Sequence, residues 1–240
     1  MIKAVLFDID GTLLDSVDLH AESWVRAFAH FGVEADFREV RGHIGEGADH
    51  LLPAFLPNGT SRERMKEIED YRSHLFKKDY LPKVRPFPKV KELFERIKED
   101  GRKVALASSC TEDEIGEYEN IAAISDMVDC ESTSDDAQAS KPAPDIFLKA
   151  VERVAPITAQ ECIIVGDTHY DGEAARRAGI PFIGVLCGGS SELQLREAGA
   201  VAIYKDPADL LAQYFTSPIC QAGVSPEEAC EEFAAPPKPT

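Results

Sequence analysis

The sequence predicts an α/β fold, a Rossmann-like, doubly wound parallel sheet with an all-helical domain inserted into it. Three observations predict this class. An apolar run at residues 2–7 has strand composition, strands and helices alternate from residue 83 to residue 215, and residues 16–82 show only helical periodicity. Strands that alternate with helices of this length form parallel sheets with helices on both faces. The helical block is therefore expected to interrupt the sheet after its first strand.

Helical periodicity follows the first strand directly. Trp24, Phe28 and Phe31 recur at steps of three and four residues, which predicts a helix over 18–31 that ends at Gly32. Further helices are expected at about 36–42, 46–56 and 61–79, separated by turn clusters at 42–47 and 57–59. The insertion is thus predicted to span residues 16–82 and to join the sheet through hinge stretches near 14–17 and 80–86.

The second half of the chain alternates between the two kinds of element. Strands are expected at 103–109, 127–130, 161–167, 181–186 and 201–204, and helices at 90–100, 112–122, 144–154, 172–178, 191–198 and 207–215. Residues 1–15 and 83–215 together are predicted to form the α/β core. Residues 216–240 are rich in Pro, Ala and Glu, which is typical of a disordered or loosely docked extension.

Composition indicates a soluble globular protein. The 240 residues are 44% hydrophobic and 29% charged. No stretch reaches the roughly 18 apolar residues of a membrane span, and the first strand begins without a signal peptide. We therefore expect a cytoplasmic protein with no membrane partner. The six cysteines are scattered, without C-x-x-C or zinc spacing, and are expected to stay reduced.

The formal net charge of −17 restricts the partners of the chain. It argues against nucleic acid, whose backbone is neutralised by Lys and Arg. It also repels anionic substrates in general. A site for a phosphorylated molecule would therefore need local positive charge from a metal ion, a lysine or helix N-termini.

Two carboxylates mark the end of the first strand. In F-D-I-D-G-T, Asp8 follows the apolar run and Asp10 lies in the turn, at the sheet edge where open α/β folds bind ligands. Asp8 could attack a phosphoryl group and form an aspartyl-phosphate, and Asp10 could protonate the leaving oxygen and then activate water. An ordinary Asp-Gly turn explains this motif alone equally well.

Three later strand ends also carry polar residues. Ser108 and Ser109 could hold phosphate oxygens, and Lys141, just before a helix, could supply the required cation. Asp167 could bind Mg²⁺ directly, and Asp171 could hold a water of the metal or Lys141. Each of these also has an ordinary reading as a helix cap or a solvated loop residue. Because the carboxyl ends of parallel strands converge on one crevice, the four strand ends together predict a phosphoryl-transfer site.

The four motifs resemble, in this order, those of the haloacid dehalogenase superfamily of hydrolases: F-D-I-D-G-T-L-L-D-S, A-L-A-S-S, S-K-P-A-P-D-I-F and I-I-V-G-D-T-H-Y-D. The resemblance covers about residues 1–215. It implies that Asp8 is nucleophile and metal ligand, that Asp10 is general acid and base with its backbone carbonyl on Mg²⁺, and that Asp167 is the third protein ligand. It further implies that Ser108 and Lys141 bind the phosphoryl group. The helical insertion would be a mobile cap that closes over the substrate and excludes water.

Single residues separate the branches of this superfamily. Its dehalogenases and phosphonatases lack an acid at the position of Asp10, which disfavours both. The alternative is the β-phosphoglucomutase branch, because D-S-V-D-L-H-A-E-S-W resembles its hinge region, including His20 and Trp24. Against it, the mutases carry an Arg in the cap loop where G-H-I-G-E-G-A has none, and Gly166 replaces their usual acidic residue. These departures favour hydrolysis over mutation.

Substrate contacts are expected mainly from the cap loop at residues 41–49. Its candidates are Arg41, His43 and Glu46, although an ordinary Gly-rich turn between helices explains them equally well. His20 either contacts the substrate or is a hinge histidine whose ring nitrogens are hydrogen-bonded within the protein. Further candidate contacts are Thr12 and Ser109.

The sequence thus predicts a Mg²⁺-dependent phosphatase that acts on a small phosphorylated metabolite, of the phosphoglycolate or sugar phosphate type. We expect it to be a monomer or a weak dimer. A phosphosugar mutase similar to β-phosphoglucomutase is the alternative.

Overall fold

Six parallel strands form the central sheet of the protein, whose computed structural model describes residues 1–221. The strands of this part of the chain are β1 (Ala4–Phe7), β2 (Leu14–Asp15), β3 (Arg85–Pro86), β4 (Lys103–Ala107), β5 (Cys130–Ser132), β6 (Cys162–Gly166), β7 (Phe182–Val185) and β8 (Ala200–Tyr204). The sheet has the order β5-β4-β1-β6-β7-β8, with every neighbouring pair parallel. Because later strands are added on both sides of β1, the sheet is doubly wound. The predicted fold class is confirmed.

Helices cover both faces of this sheet. The α-helices of the described residues are α1 (Val17–His30), α2 (Phe37–Gly42), α3 (Ala48–Phe55), α4 (Arg62–Asp79), α5 (Val90–Glu99), α6 (Glu112–Ala122), α7 (Asp145–Arg153), α8 (His169–Ala178), α9 (Glu192–Glu197) and α10 (Pro207–Ala212). Helices α5, α6 and α10 pack on one face, and α7, α8 and α9 on the other. Within residues 1–221, no helix combines the length and the apolar character that crossing a membrane requires.

Successive side chains of β1 show how the two faces are built. Phe7 stacks on Phe94 of α5, with ring centroids 4.9 Å apart, whereas Leu6 packs with Phe147 of α7 on the opposite face. Strands that are buried on both faces are apolar at every position. This explains why the sheet strands stand out in the sequence as continuous apolar runs.

Helices α1 to α4 form the helical insertion between β2 and β3. These two short strands pair with each other antiparallel, Leu14 opposite Pro86 and Asp15 opposite Arg85. The pairing lies within the two predicted hinge stretches, and strands of two residues leave no periodicity that a sequence could reveal. The insertion also has a hydrophobic cluster of its own. Its buried members are Ala21, Trp24, Ala27, Phe28, Val40, Leu51, Leu52, Leu56 and Ile68.

Helix α8 begins at His169, so the predicted start at residue 172 was three residues too late. The reason is a capping box. The Thr168 hydroxyl accepts a hydrogen bond from the backbone N–H of Asp171, and the Asp171 carboxylate accepts one from the backbone N–H of Thr168. Asp171 therefore lies in the first turn of a helix, which fixes its position. Two further shifts are β5, at 130–132 instead of 127–130, and α10, which ends at 212 instead of 215.

The C-terminal segment packs against the core as far as it is described. Ser217 and Ile219 are buried, and Ile219 belongs to the same hydrophobic cluster as Phe94. Residues 217–219 therefore pack against the core. The remainder of the expected extension, residues 222–240, lies outside the described residues.

Gly172 and Gly116 offer a matched test of this helix packing. An alanine Cβ at Gly172 of α8 would lie 2.5 Å from the Cβ of Ala198, whereas a Cβ at Gly116 of α6 would meet nothing within 4 Å beyond its chain neighbours and the backbone of its own helix. We expect Gly172→Ala to lower the free energy of unfolding by about 1–2 kcal/mol, because overpacking outweighs the gain in helix propensity. Gly116→Ala should raise it by about 0.5–1 kcal/mol. Urea unfolding measures both changes, and shifts of the same sign in the two variants would contradict this packing.

Candidate active site

The sheet order brings three of the predicted strand ends together. Strands β4, β1 and β6 are neighbours, so Ser108, Asp8 and Asp167, which follow them directly, lie at one edge of the sheet. Lys141 reaches the same edge from the segment between β5 and α7, and Asp171 reaches it from the first turn of α8.

Lys141 is the centre of this cluster. Its Nζ lies 2.5 Å from Oδ1 of Asp8 and 2.7 Å from Oδ1 of Asp171, and it donates a hydrogen bond of 3.3 Å to the carbonyl of Ala107. The side chain is only 1% exposed. Although burial lowers the pKa of Lys141, the carboxylates of Asp171 and Asp8 outweigh it and raise that pKa above its ordinary value. The ammonium is therefore charged and fixed in place.

Three buried carboxylates surround a potential cation site. Oxygen atoms of Asp8, Asp167 and Asp171 lie within 4.8 Å of one another. Burial raises the pKa of Asp8 to about 7, with Lys141 acting against it and Asp171 adding to it. Burial, then the charges of Asp8 and Asp171, raise the pKa of Asp167 well above its ordinary value.

When all three carboxyl groups are ionised, the single ammonium leaves two negative charges without a counter-ion in the cluster. A divalent cation would balance these two negative charges. Carboxylate oxygens are the ligands that Mg²⁺ prefers. Thr12 completes the polar surroundings, because its hydroxyl lies 3.1 Å from Oδ1 of Asp167 and 3.3 Å from Oδ2 of Asp8. The residues present therefore fit a magnesium site.

Two glycines allow the backbone to approach Asp167 closely. A Cβ at Gly188, in the loop after β7, would lie 1.7 Å from Oδ2 of Asp167, and one at Gly11 would lie 2.4 Å from the same atom. Gly11 also has a φ of +84°, which favours glycine. Gly188 was missed by the sequence analysis, because its motif C-G-G-S reads only as a loop signal.

Asp10 is held by residues of the helical insertion. Its Oδ1 accepts hydrogen bonds from Ser16 at 2.5 Å and from Nε2 of His20 at 2.8 Å. Nδ1 of His20 accepts a hydrogen bond from Arg72 of α4, which assigns the Nε2 proton to the bond with Asp10. Burial raises the pKa of Asp10, but interactions with His20, Ser16 and Arg72 together outweigh it, so the net shift is downward.

A cavity of about 630 Å³ lies between this sheet edge and the helical insertion. Asp8, Asp10 and Ser109 line it from the core, and His20 and His43 line it from the insertion. Ser108 is nearly inaccessible, and its hydroxyl accepts a hydrogen bond from the backbone N–H of Cys110 at 3.2 Å. The cavity is large enough for a small metabolite.

The structure does not bring all predicted contacts to this cavity. Arg41 pairs with Asp18 at 2.6 Å and donates to the carbonyl of Gly188 at 3.0 Å, beside a second cavity of about 90 Å³. Glu46 is buried and hydrogen-bonded to His43. Thr12 is fully buried between Asp8 and Asp167, as described above.

Arg72 is a site residue that the sequence analysis missed. It lines the cavity from α4, a helix whose sequence R-E-R-M-K-E-I-E-D-Y-R is charged on nearly every side. In such a helix, no periodicity distinguishes Arg72 from the other cations, of which Arg62 and Lys66 also line the cavity. Only the packing of α4 against α1 places Arg72 next to His20.

Comparisons with known proteins agree with this geometry. Residues 5–185 match the sequence model of a family described as haloacid dehalogenase-like hydrolase. The phosphoglycolate phosphatase of Aquifex aeolicus is 30% identical over 179 residues, which are 74% of this chain and 82% of that protein. The phosphorylated carbohydrates phosphatase of Thermotoga maritima is 29% identical over 215 residues, 88% of this chain and 97% of that protein.

A solved structure shows the same fold. A hydrolase from Pseudomonas syringae superposes with a TM-score of 0.83 at 26% identity, covering 89% of this chain and 98% of that one. The sequence match and the fold lead to the same family. The chain therefore belongs to the haloacid dehalogenase-like hydrolases.

Proposed function

We propose that the chain is a Mg²⁺-dependent phosphatase that hydrolyses a small phosphorylated metabolite through an aspartyl-phosphate on Asp8. The buried cluster of Asp8, Asp167 and Asp171 around Lys141 carries this proposal, because it combines a nucleophile with a cation site beside a cavity. Family membership supports the reaction class. The names of the two relatives described above, phosphatases of phosphoglycolate and of phosphorylated carbohydrates, support the substrate class.

Asp8 would act as the nucleophile. Its Oδ1 is held by Lys141, so the carboxylate is fixed in one orientation before the substrate arrives. An oxygen of Asp8 forms a bond to phosphorus while the bond from phosphorus to the leaving oxygen breaks. Lys141 and Ser108 would bind the phosphoryl oxygens, and the ammonium would stabilise their charge in the transition state.

Asp8, Asp167 and the backbone carbonyl of Asp10 would hold Mg²⁺, with Asp171 and Lys141 beside them. When bound, the ion supplies positive charge next to the phosphoryl oxygens, which offsets their repulsion by the carboxylates. Asp171 would keep Lys141 in place, because the two form a buried ion pair.

In its protonated form Asp10 would donate a proton to the leaving oxygen, and the resulting carboxylate would later accept one from the water that hydrolyses the aspartyl-phosphate. Its Oδ1 is occupied by Ser16 and His20, whereas Oδ2 accepts no hydrogen bond from the described side chains. Oδ2 is therefore the oxygen that faces the reaction. We propose that His20 positions Asp10.

The helical insertion would act as a cap over the site. His43 and Ser109, which line the cavity, are the proposed substrate contacts from cap and core. Arg41 would instead tie the cap to the core through its bond to Gly188. A cytoplasmic location and a monomeric or weakly dimeric state stay predictions from the sequence.

A β-phosphoglucomutase-like activity is the second candidate, and the contact of His20 with Asp10 favours it because His20 belongs to the motif shared with that branch. Gly166 opposes it. A Cβ at Gly166 would lie 2.7 Å from the Cβ of Asp171, so the acidic residue of the mutases does not fit here. The two activities are distinguished by the product, which is free phosphate for a phosphatase and a rearranged sugar phosphate for a mutase.

Asp8→Asn tests the nucleophile. We expect kcat for phosphate release from an aryl phosphate to fall by on the order of 10⁴-fold or more, because the amide cannot form the aspartyl-phosphate. Asp15→Asn is the matched control, since Asp15 is exposed on β2, and its kcat should stay within about twofold of the wild type. Thermal unfolding verifies that both variants are folded. Wild-type turnover in Asp8→Asn would refute the proposed intermediate.

Asp167→Asn tests the metal site through stability. In metal-free buffer we expect the variant to be at least as stable as the wild type, because folding no longer carries the cost of burying or protonating this carboxylate. Mg²⁺ at a hundredfold excess over its Kd should stabilise the wild type by about 2.7 kcal/mol and the variant far less. Thermal unfolding over a range of Mg²⁺ concentrations measures both effects, with Asp15→Asn again as control. A full Mg²⁺ response in Asp167→Asn would contradict the assignment.

A further inference from the structure

Arg72 brings a positive charge to the cavity from the insertion. The central carbon of its guanidinium lies over the rings of Trp24 and Phe76, 5.1 Å and 4.9 Å from their centroids. Nε donates to the hydroxyl of Ser23 at 3.0 Å, and Nη2 donates to Nδ1 of His20. A guanidinium has five N–H donors, so three remain after these two bonds.

Arg72 has no close counter-ion in the described part of the chain, since none of the ion pairs found there includes it. Three carboxylates near it, those of Glu114, Asp10 and Glu69, interact with it without forming an ion pair. Asp10 is held by the hydrogen bonds described above, and Glu114 accepts hydrogen bonds from Ser73 at 3.5 Å and from the backbone N–H of Thr111 at 3.3 Å. Burial lowers the pKa of Arg72, and the surrounding charges offset this only in part.

Lys66 of α4 also lines this cavity, but its surroundings differ from those of Arg72. Lys66 pairs with Asp70 at 3.1 Å, and its side chain is 72% exposed. It is therefore solvated and already neutralised, whereas Arg72 is held by two aromatic rings with donors left over.

We propose, on the basis of the phosphatase function above, that Arg72 binds a second anionic group of the substrate, a carboxylate or a phosphate. A guanidinium matches the paired oxygens of either group, and such bonds are strong where water is partly excluded. One imidazole ring, that of His20, separates Arg72 from Asp10. The anionic group must therefore lie only a few bonds from the leaving oxygen, which makes Arg72 a specificity-determining residue for short phosphate esters with an anionic tail.

Matched substrate pairs test this proposal, because each pair differs only in the tail. For a carboxylate the pair is phosphoglycolate and 2-hydroxyethyl phosphate, and for a phosphate it is 1,3-propanediol bisphosphate and 3-hydroxypropyl phosphate. The readout is the ratio of kcat/KM within a pair. A loss that arises because Arg72 also contacts His20 affects both members and cancels in this ratio.

We expect the wild type to prefer the anionic tail by about tenfold or more in at least one pair. Arg72→Met, which keeps an apolar side chain between Trp24 and Phe76, should lower that ratio by more than about fivefold, and Arg72→Lys should lower it less. Lys66→Met is the matched control from the same helix, and its ratio should stay within about twofold of the wild type. The pair that responds identifies the anionic group.

Three results would overturn the proposal: a wild type that prefers the neutral tail in both pairs, a ratio in Arg72→Met that falls by less than about fivefold, or an equal fall in Lys66→Met. Turnover of an aryl phosphate with no turnover of the anionic esters would overturn it as well. Absence of phosphate release from all of these esters with Mg²⁺ present would instead refute the phosphatase function itself.

Discussion

The structure depends on one buried ammonium, that of Lys141, which holds Asp8 and Asp171 at the carboxyl edge of the sheet. Like charges 4 Å apart repel each other by roughly 4 kcal/mol at an effective dielectric constant near 20, and Asp167 adds a third carboxylate to the same space. Such a cluster persists only where rigid elements hold its members. The rigid elements here are strands β1 and β6, the first turn of α8 and the segment before α7. The candidate site therefore depends on the fold that holds these elements in place.

The same charges explain the division of work between core and insertion. The chain carries a net charge of −17, so an anionic substrate is attracted only by local cations. The core supplies Lys141 and, under our proposal, a magnesium ion for the phosphoryl group. The insertion would supply Arg72 for the remaining part of the substrate. It also holds Asp10 through the hydrogen bond from His20. Reaction and recognition are thus assigned to different parts of the chain that meet at one cavity.

The sequence predicted the parts of the site that follow from strand geometry. Asp8 and Asp167 could be placed because each ends an apolar run, and parallel strands share one carboxyl edge. Lys141 could be placed because the net charge called for a cation. Arg72 and Gly188 could not, because their positions depend on the packing of α4 on α1 and on a loop that folds back onto Asp167. Contacts between distant segments leave no local pattern, whereas strand ends do.

The most direct test of this account is to trap the covalent intermediate. The enzyme is mixed with a phosphate ester and Mg²⁺, quenched in acid during turnover and reduced with borohydride, which converts an aspartyl-phosphate into homoserine. Mass spectrometry of the N-terminal peptide then identifies the modified residue. The account predicts homoserine at position 8. Steady turnover with an unmodified Asp8, or with the label on another residue, would contradict it.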